Sequence, residues 1–294
     1  MKKTIALFIF VALAMAVYAQ KLEVDKKSLV QDGITKLEIL QDKKPIPYPP
    51  LRESDIFWSR RVWRVIDLRE RLNYPLYYPT EVVQVRKSFV QTLVSAIQKG
   101  TIKAYDTDSD EFITELSAEG LRSRFEATDR TIVTPKMDGS GDTTIVIRGE
   151  FNWGEVKELY VKEDWFFDKH LSQMFVRIIG ICPVRVYAKE IQTADEDEDI
   201  APEMIKKQLF WVYYPDARKV LANAPCFVGE SEVTQLSFDD LFQKRRFSSY
   251  IRAISNNQNN RQVHNYTRNG MEAMLESERL KQEIFNFESD LWEY

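Results

Sequence analysis

The residues in this chain that could do chemistry are scattered. It has two histidines, His170 at a turn and His264 in a polar stretch, and neither has a serine or cysteine beside it in a nucleophile setting. Its two cysteines, Cys182 and Cys226, cannot supply a four-thiolate zinc site and lie too far apart for a zinc finger. Met137-Asp138-Gly139-Ser140-Gly141-Asp142 lacks the third glycine and the lysine of a phosphate loop, so it reads as a hairpin or loose loop. Asp106-Thr107-Asp108-Ser109-Asp110-Glu111 suggests calcium, but an EF-hand loop starting at Asp106 needs Gly at Glu111 and Glu at Ser117. An Asp or Ser here is expected instead to cap a helix through Phe112, Ile113 and Leu116, with Ser117 to Gly120 as a turn. The acidic run Asp195 to Asp199 reads as a solvated loop. Carboxylates are plentiful, yet no pair stands out for glycoside hydrolysis. No constellation meets the outline of an active site. The sequence therefore points to no enzyme, no cofactor and no metal.

Recognition chemistry is better grouped. Between Asp55 and Asn73, Trp58, Val62, Val65, Ile66 and Leu72 recur at helical spacing and predict a helix. Arg60, Arg64, Asp67 and Arg71 then form a charged stripe on it, with Arg61 beside it. Such a stripe is either a solvated face of Arg–Asp pairs or an arginine surface that docks an acidic partner patch. The last stretch, Gly270 to Tyr294, predicts an amphipathic helix with Leu280, Ile284, Phe287 and Leu291 along one side. That side either packs on its own domain or fits a partner's groove. The candidate partner-binding residues are therefore Arg60, Arg61, Arg64, Arg71, Leu280, Ile284, Phe287 and Leu291.

The elements that must position them belong to a chain of 294 residues, 44% hydrophobic and 12% aromatic, with a net charge of -4. That composition excludes a wholly disordered chain and lacks the basic balance of a general nucleic-acid binder. Met1-Lys2-Lys3, the apolar run Ile5 to Val17 and the small residues of Val17-Tyr18-Ala19 read as a signal peptide over residues 1–19. No cysteine follows the cleavage point, so a lipid anchor is not expected, and no later apolar run approaches the ~18 residues of a membrane span. An oxidising compartment permits a Cys182–Cys226 disulfide, with a buried free thiol the equal alternative. Residues 20–51 end in Pro45-Ile46-Pro47-Tyr48-Pro49-Pro50 and read as an extended arm, either solvated or lying along a neighbouring subunit. Residues 52–255 read as the core. Helices are expected over Val82 to Lys99, in Asp216 to Asn223 (or a turn there) and over Phe238 to Ser255. Strands are expected at Ile102 to Tyr105, Thr143 to Ile147, Val156 to Phe167, Met174 to Tyr187 and Leu209 to Tyr214. Within the fourth, Gly180 suggests a bulge and Pro183 an edge or break. Residues 256–294 read as an Asn-rich linker and the terminal helix. The fold class is α+β: a mainly antiparallel sheet with flanking helices, an extended N-terminal arm and a C-terminal amphipathic helix. One word recurs, Asp55-Ile56-Phe57-Trp58-Ser59-Arg60-Arg61 against Asp240-Leu241-Phe242-Gln243-Lys244-Arg245-Arg246, too short to establish a duplication.

Several stretches carry a family resemblance. They are Asp55 to Arg64, Ile66 to Asn73, Pro75-Leu76-Tyr77-Tyr78-Pro79, Lys162 to Asp168, Arg177 to Ile181, Leu209 to Pro215, Phe238 to Phe242 and Phe247-Ser248-Ser249-Tyr250. Over about residues 50 to 255 the chain resembles the gliding motility protein GldN, called PorN in non-gliding relatives. The resemblance implies a non-catalytic periplasmic component of the type IX secretion system. It implies a large ring beneath the outer membrane, shared with a GldK/PorK-like lipoprotein and contacting the periplasmic part of a GldM/PorM-like motor. No catalytic residues transfer with it. On that reading charge reversal at Arg60 and Arg64 is expected to weaken partner binding and leave folding intact. The alternative is a periplasmic hydrolase or carbohydrate-binding protein, which would need a deep cleft of paired carboxylates and Trp.

Overall fold

The computed structural model describes residues 43–81, 86–127, 130–135, 142–147, 149–189, 203–228 and 236–291, with 130–135 and 142–147 described by their backbone. The expected signal peptide, the expected arm before residue 43, residues 136–141 of the glycine stretch and the acidic run 195–199 lie outside these residues. Among the described residues eleven strands and six α-helices follow in order. β1 is Ile56–Asp67, α1 Tyr74–Tyr77, α2 Phe89–Gln98, β2 Ala104–Tyr105 and α3 Ala118–Arg124. β3 (Arg130–Pro135) and β4 (Asp142–Ile147) form an antiparallel pair. β5 is Val156–Asp168, β6 Gln173–Lys189, β7 Glu203–Gln208, β8 Trp211–Tyr213 and α4 Tyr214–Asn223. β9 (Pro225–Cys226), β10 (Leu236–Ser237), α5 (Phe238–Gln243), β11 (Tyr250–Ile254) and α6 (Gly270–Asp290) complete the chain. The class is mixed α+β, as expected.

The main sheet has seven antiparallel strands in the order β11-β1-β5-β6-β8-β2, with β7 also on β6. β5 and β6 make a long hairpin whose turn is held by Asp168, the Oδ1 of which accepts the His170 N–H at 2.8 Å. Gly180 sits at a bulge, where Lys162 faces Gly180 but Glu163 faces Ile178. A Cβ there would lie 2.3 Å from the Phe112 ring, so the close approach requires glycine. Pro183 falls where the neighbour of β6 changes from β8 to β7, and its carbonyl accepts the Leu209 N–H at 3.0 Å. Its missing donor therefore costs no ladder bond.

The region expected to be a helix over 55–73 is instead strand β1, with a 3-10 turn at Arg71–Asn73. β1 runs between β11 and β5, and Val62, Val65 and Ile66 are each at most 2% exposed. A strand buried on both faces shows no clean alternation, so its apolar positions fit a helical period by accident. Its Val, Ile, Trp and Phe are strand formers. Two further helices are corrected. Phe112 to Leu116 is a return loop: Phe112 has φ 56, and Asp106 and Leu116 donate backbone bonds to Thr114 and Ala104. The helix starts later, at the supposed turn, where Ser117 Oγ accepts the Gly120 N–H. The helix expected over Phe238 to Ser255 ends at Gln243, because Arg245 takes φ 51, and Tyr250–Ile254 joins the sheet as an edge strand. α2 begins at Phe89 with a Ser88–Gln91 capping box.

Helices α2, α4 and α5 cover one face of the sheet, burying Phe89, Leu93, Leu221, Phe238 and Phe242 against Ile66, Leu159 and Val161. The opposite face carries a smaller cluster of Val65, Tyr160, Cys182, Val184 and Trp211 under Phe112. Both cysteines are free. Cys182 lies in that second cluster and Cys226 in the first, on opposite sides of the sheet, so the disulfide alternative is set aside. Burial pushes each thiol up to about 12.

Candidate functional site

Alternation along β1 sorts the arginines. Trp58, Arg60, Val62, Arg64 and Ile66 share a face, while Arg61, Trp63 and Val65 point to the other. Part of the first face is covered by α6. Ile284 is buried with Val62, Ile251 and Ile254, and Leu280 packs against them. Phe287 stacks on Trp58 with centroids 4.8 Å apart and planes at 27°. Arg60 Nη1 pairs with Glu283 Oε1 at 2.9 Å. Ser277 Oγ accepts the Ile251 N–H at 2.7 Å, which satisfies an outward amide of the edge strand. The structure thus brings the two candidate groups against one another. Leu280, Ile284 and Phe287 are committed to the chain's own sheet, and Leu291 is half-buried at the helix C-cap.

Arg64 is not a surface residue. It is 6% exposed and donates from Nε to Ser249 Oγ (2.9 Å) and from Nη2 to the Ser249 carbonyl (3.2 Å). Burial lowers its pKa, against the pull of the Glu163 charge. Glu163 is fully buried and is held by Arg245, at 3.0 and 3.3 Å, and by the Trp165 indole at 2.9 Å. This is an internal ion cluster that fixes the α5–β11 corner, and it corrects the expectation that reversal at Arg64 leaves folding intact. On the other face Arg61 grips Asp164 in a fork of 2.7 and 3.0 Å, which raises the guanidinium pKa. Arg71 is exposed, beside exposed Leu72, Tyr74 and Tyr78.

The proline arm also reaches this body. The Tyr48 ring lies under Arg218 at 4.4 Å and Arg177 at 5.1 Å, and its hydroxyl accepts from Gln243. Arg177 Nη2 donates to the Pro49 carbonyl at 2.8 Å, and Lys43 pairs with Asp240. From residue 43 onward, then, the arm straps its own chain beside the part of β6 that, among the described residues, has only β5 as a strand neighbour.

Two surfaces have no counterpart in the sequence reading. α6 exposes Met271 (76%), Met274 (70%), Leu275 (68%) and Phe285 (59%) on the side turned away from Ile284. Met271, Met274 and Leu275 fall at i, i+3 and i+4, a spacing that is visible in the sequence. The second is an open groove of about 560 Å³ between α2 and α4, bordered by Lys87, Lys99 and Lys219 around Ala96, Val220 and Ala224. Among the described residues it contains no carboxylate. Two of the Asp106–Glu111 carboxylates serve the fold: Asp106 pairs with Arg124, and Asp110 accepts from the Trp63 indole at 2.7 Å and from buried Lys162. Among the described residues no group of three His, Cys, Asp or Glu side chains could hold a metal ion. Among them, too, no helix is long and apolar enough to cross a membrane.

The fold is that of a mixed α+β protein built on a seven-stranded antiparallel sheet. Residues 51–293 match the family described as gliding motility associated protein GldN, and the chain belongs to that family. The match extends through α6, past the stretch near residue 255 where the legible resemblance stops. The family is one of gliding-motility and type IX secretion proteins, structural and not enzymatic. No curated protein matches the chain.

Proposed function

We propose that the chain is an exported, non-catalytic ring component of the type IX secretion machinery. It sits in the periplasm, associates with a GldK/PorK-like outer-membrane lipoprotein, and contacts the periplasmic part of a GldM/PorM-like motor. The observation that carries this reading is the family match across residues 51–293. The signal-peptide pattern of residues 1–19, with no cysteine at the cleavage point, supports a chain held at the membrane by a lipidated partner. Residues 20–51 then act as an arm, 52–255 as the core and 256–294 as linker and terminal helix. Among the original candidates, Arg71 with its exposed neighbours Leu72, Tyr74 and Tyr78 is the group open to a partner, being of the Arg and Tyr types that dominate hot spots. Arg60 lies at the rim of α6.

The test is the native mass of the mature chain, alone and mixed with the lipoprotein. A large discrete co-assembly is the expected result. A chain whose mass is indifferent to the lipoprotein overturns the proposal.

A further inference from the structure

The 43–51 strap is held to the body through its side chains. Four of the six residues 45–50 are prolines, which have no N–H to give a neighbouring strand. Among the described residues no main-chain hydrogen bond joins the strap to β6. Its anchors are the Lys43–Asp240 pair, the Gln243 amide on the Tyr48 hydroxyl at 3.2 Å, and Arg177 on the Pro49 carbonyl. The groove beneath combines rings with guanidinium planes. Phe166 and Phe175 stack at 5.9 Å, and Arg177 lies within 5.2 Å of both the Phe166 and Tyr48 rings. Arg218, 5% exposed and forked onto Asp239 at 3.0 and 3.2 Å, meets the Tyr48 ring at 4.4 Å. Aromatic-lined grooves of this kind recognise proline-rich segments, and the chain's own Pro-Ile-Pro-Tyr-Pro-Pro is seated on this one. The fit is loose, with a cavity of about 240 Å³ between Pro47, Tyr48, Phe166, Phe175 and Arg177. A segment held this way can open without breaking a sheet ladder.

The strap ends at Leu51, and the chain is pinned again at Asp55, whose carbonyl accepts the Lys169 N–H at 2.8 Å. A pivot over residues 51–54 leaves 43–51 extended, with a polyproline-like reach of roughly 25 Å, enough to cross to an adjoining copy. Placed in the same groove of that copy, the strap regains every contact it leaves. An empty groove instead strips Arg177 and Arg218 of the Tyr48 ring. Exchange of an identical segment is therefore a low-cost link between copies. In the free chain its own strap has the advantage of effective concentration; copies held side by side remove that advantage.

We infer that the β6–α5 groove is a recognition site for this proline-rich segment, and that in the assembly it takes the strap of the next copy in place of its own. Tyr48 is the anchor, and Arg177, Arg218 and Gln243 are the groups that read it. This rests on the ring reading above, which brings copies side by side, and names a link between them.

The experiment uses two variants of the full mature chain. The strap variant carries Lys43→Ala with Tyr48→Ala; the groove variant carries Arg177→Ala with Gln243→Ala. All four side chains are at least partly exposed, and circular dichroism checks that each variant is folded. The probe is a fluorescent synthetic peptide of residues 43–51, read by anisotropy. It should bind the strap variant at least about tenfold more tightly than wild type, whose own strap competes, and at least about tenfold more tightly than the groove variant. The same peptide with Tyr48→Ala should not bind. Equal affinity for the two variants overturns the inference. Sedimentation then reads the exchange. An equimolar mixture has one intact strap and one intact groove, so it should form a pair that neither variant forms alone. Peptide binding without that pair overturns the second copy as occupant and leaves the groove to a foreign proline-rich segment. The masses are read again with the GldK/PorK-like lipoprotein present. If the lipoprotein complex forms normally while peptide binding and the pair are missing, this inference fails and the ring reading stands. If the pair forms but the lipoprotein never binds, the reverse holds.

Discussion

Two arginines four positions apart on one strand have opposite jobs. Arg60 is at the rim, part-exposed, and its single pair to Glu283 lies at 2.9 Å between half-exposed groups. Such a pair contributes at most about 1 kcal/mol. Arg60→Glu should therefore shift the urea midpoint little. Arg64 is buried beside fully buried Glu163. Arg64→Glu places a second carboxylate in that interior and removes the donors to Ser249. Loss of a buried ion partner costs about 3–5 kcal/mol, so this variant should be largely unfolded or melt far lower. Equal midpoints for the two variants would sink the distinction. The cysteines offer a second residue-scale check. Each is buried and its thiol pushed up to about 12, so the reactive thiolate is scarce near neutral pH. A maleimide should leave native protein unmodified at pH 7.5 and label both cysteines after denaturation.

At the scale of elements, what the sequence revealed depended on how many sides of an element are buried. The β5–β6 hairpin was legible because its turn, its bulge glycine and its strand formers agree. α6 was legible because one side alone faces the sheet, which leaves a strong helical period. β1 was not, because over Val62 to Ile66 both of its faces are buried, which removes the alternation that marks a strand. The repeated word makes the same point. Asp55 to Arg61 enters a strand, whereas Asp240 to Arg246 lies on α5 and its end, so neighbours and not local sequence choose the structure. The candidate site was half legible: the residue types were found, but their mutual occupation depends on a contact more than 200 residues apart in sequence, Arg60 to Glu283. The two sides of α6 now make separable predictions. Ile284→Ala removes a side chain that is 4% exposed and should cost about 2–5 kcal/mol. Met274→Ala, at 70% exposure, should leave the melting temperature nearly unchanged. A large loss of stability from the Met274 change would mean that side of the helix is part of the fold.

At the scale of the whole molecule, the sheet is closed at its open flanks by parts remote in sequence. α6 covers β11 through Ser277, and the 43–51 strap lies beside β6. Several ion pairs hold their carboxylates below their ordinary values, some within one element and some between elements. The Arg69 guanidinium lowers Asp67 at the end of β1, and Arg185 lowers Glu126 between α3 and β6. Arg279 lowers Glu276 on α6. At Asp240 burial pushes upward, but the Lys43 ammonium from the strap and the Ser237 donors outweigh it. A carboxyl whose folded value is depressed contributes stability that is full above its unfolded value, 3.8 for Asp and 4.5 for Glu here. That stability is lost as pH falls through the folded values. Each pair is partly exposed and contributes at most about 1 kcal/mol, but all four act in the same direction. The melting temperature should therefore be flat from about pH 8 to about pH 5.5 and decline below about pH 4. Arg69→Ala with Lys43→Ala removes two of the partners and should make that acid decline shallower, by lowering the stability at neutral pH more than at pH 3. Calorimetry across this range decides it: a decline already complete by pH 5.5, or one unchanged in the double variant, would show that these pairs do not set the acid limit.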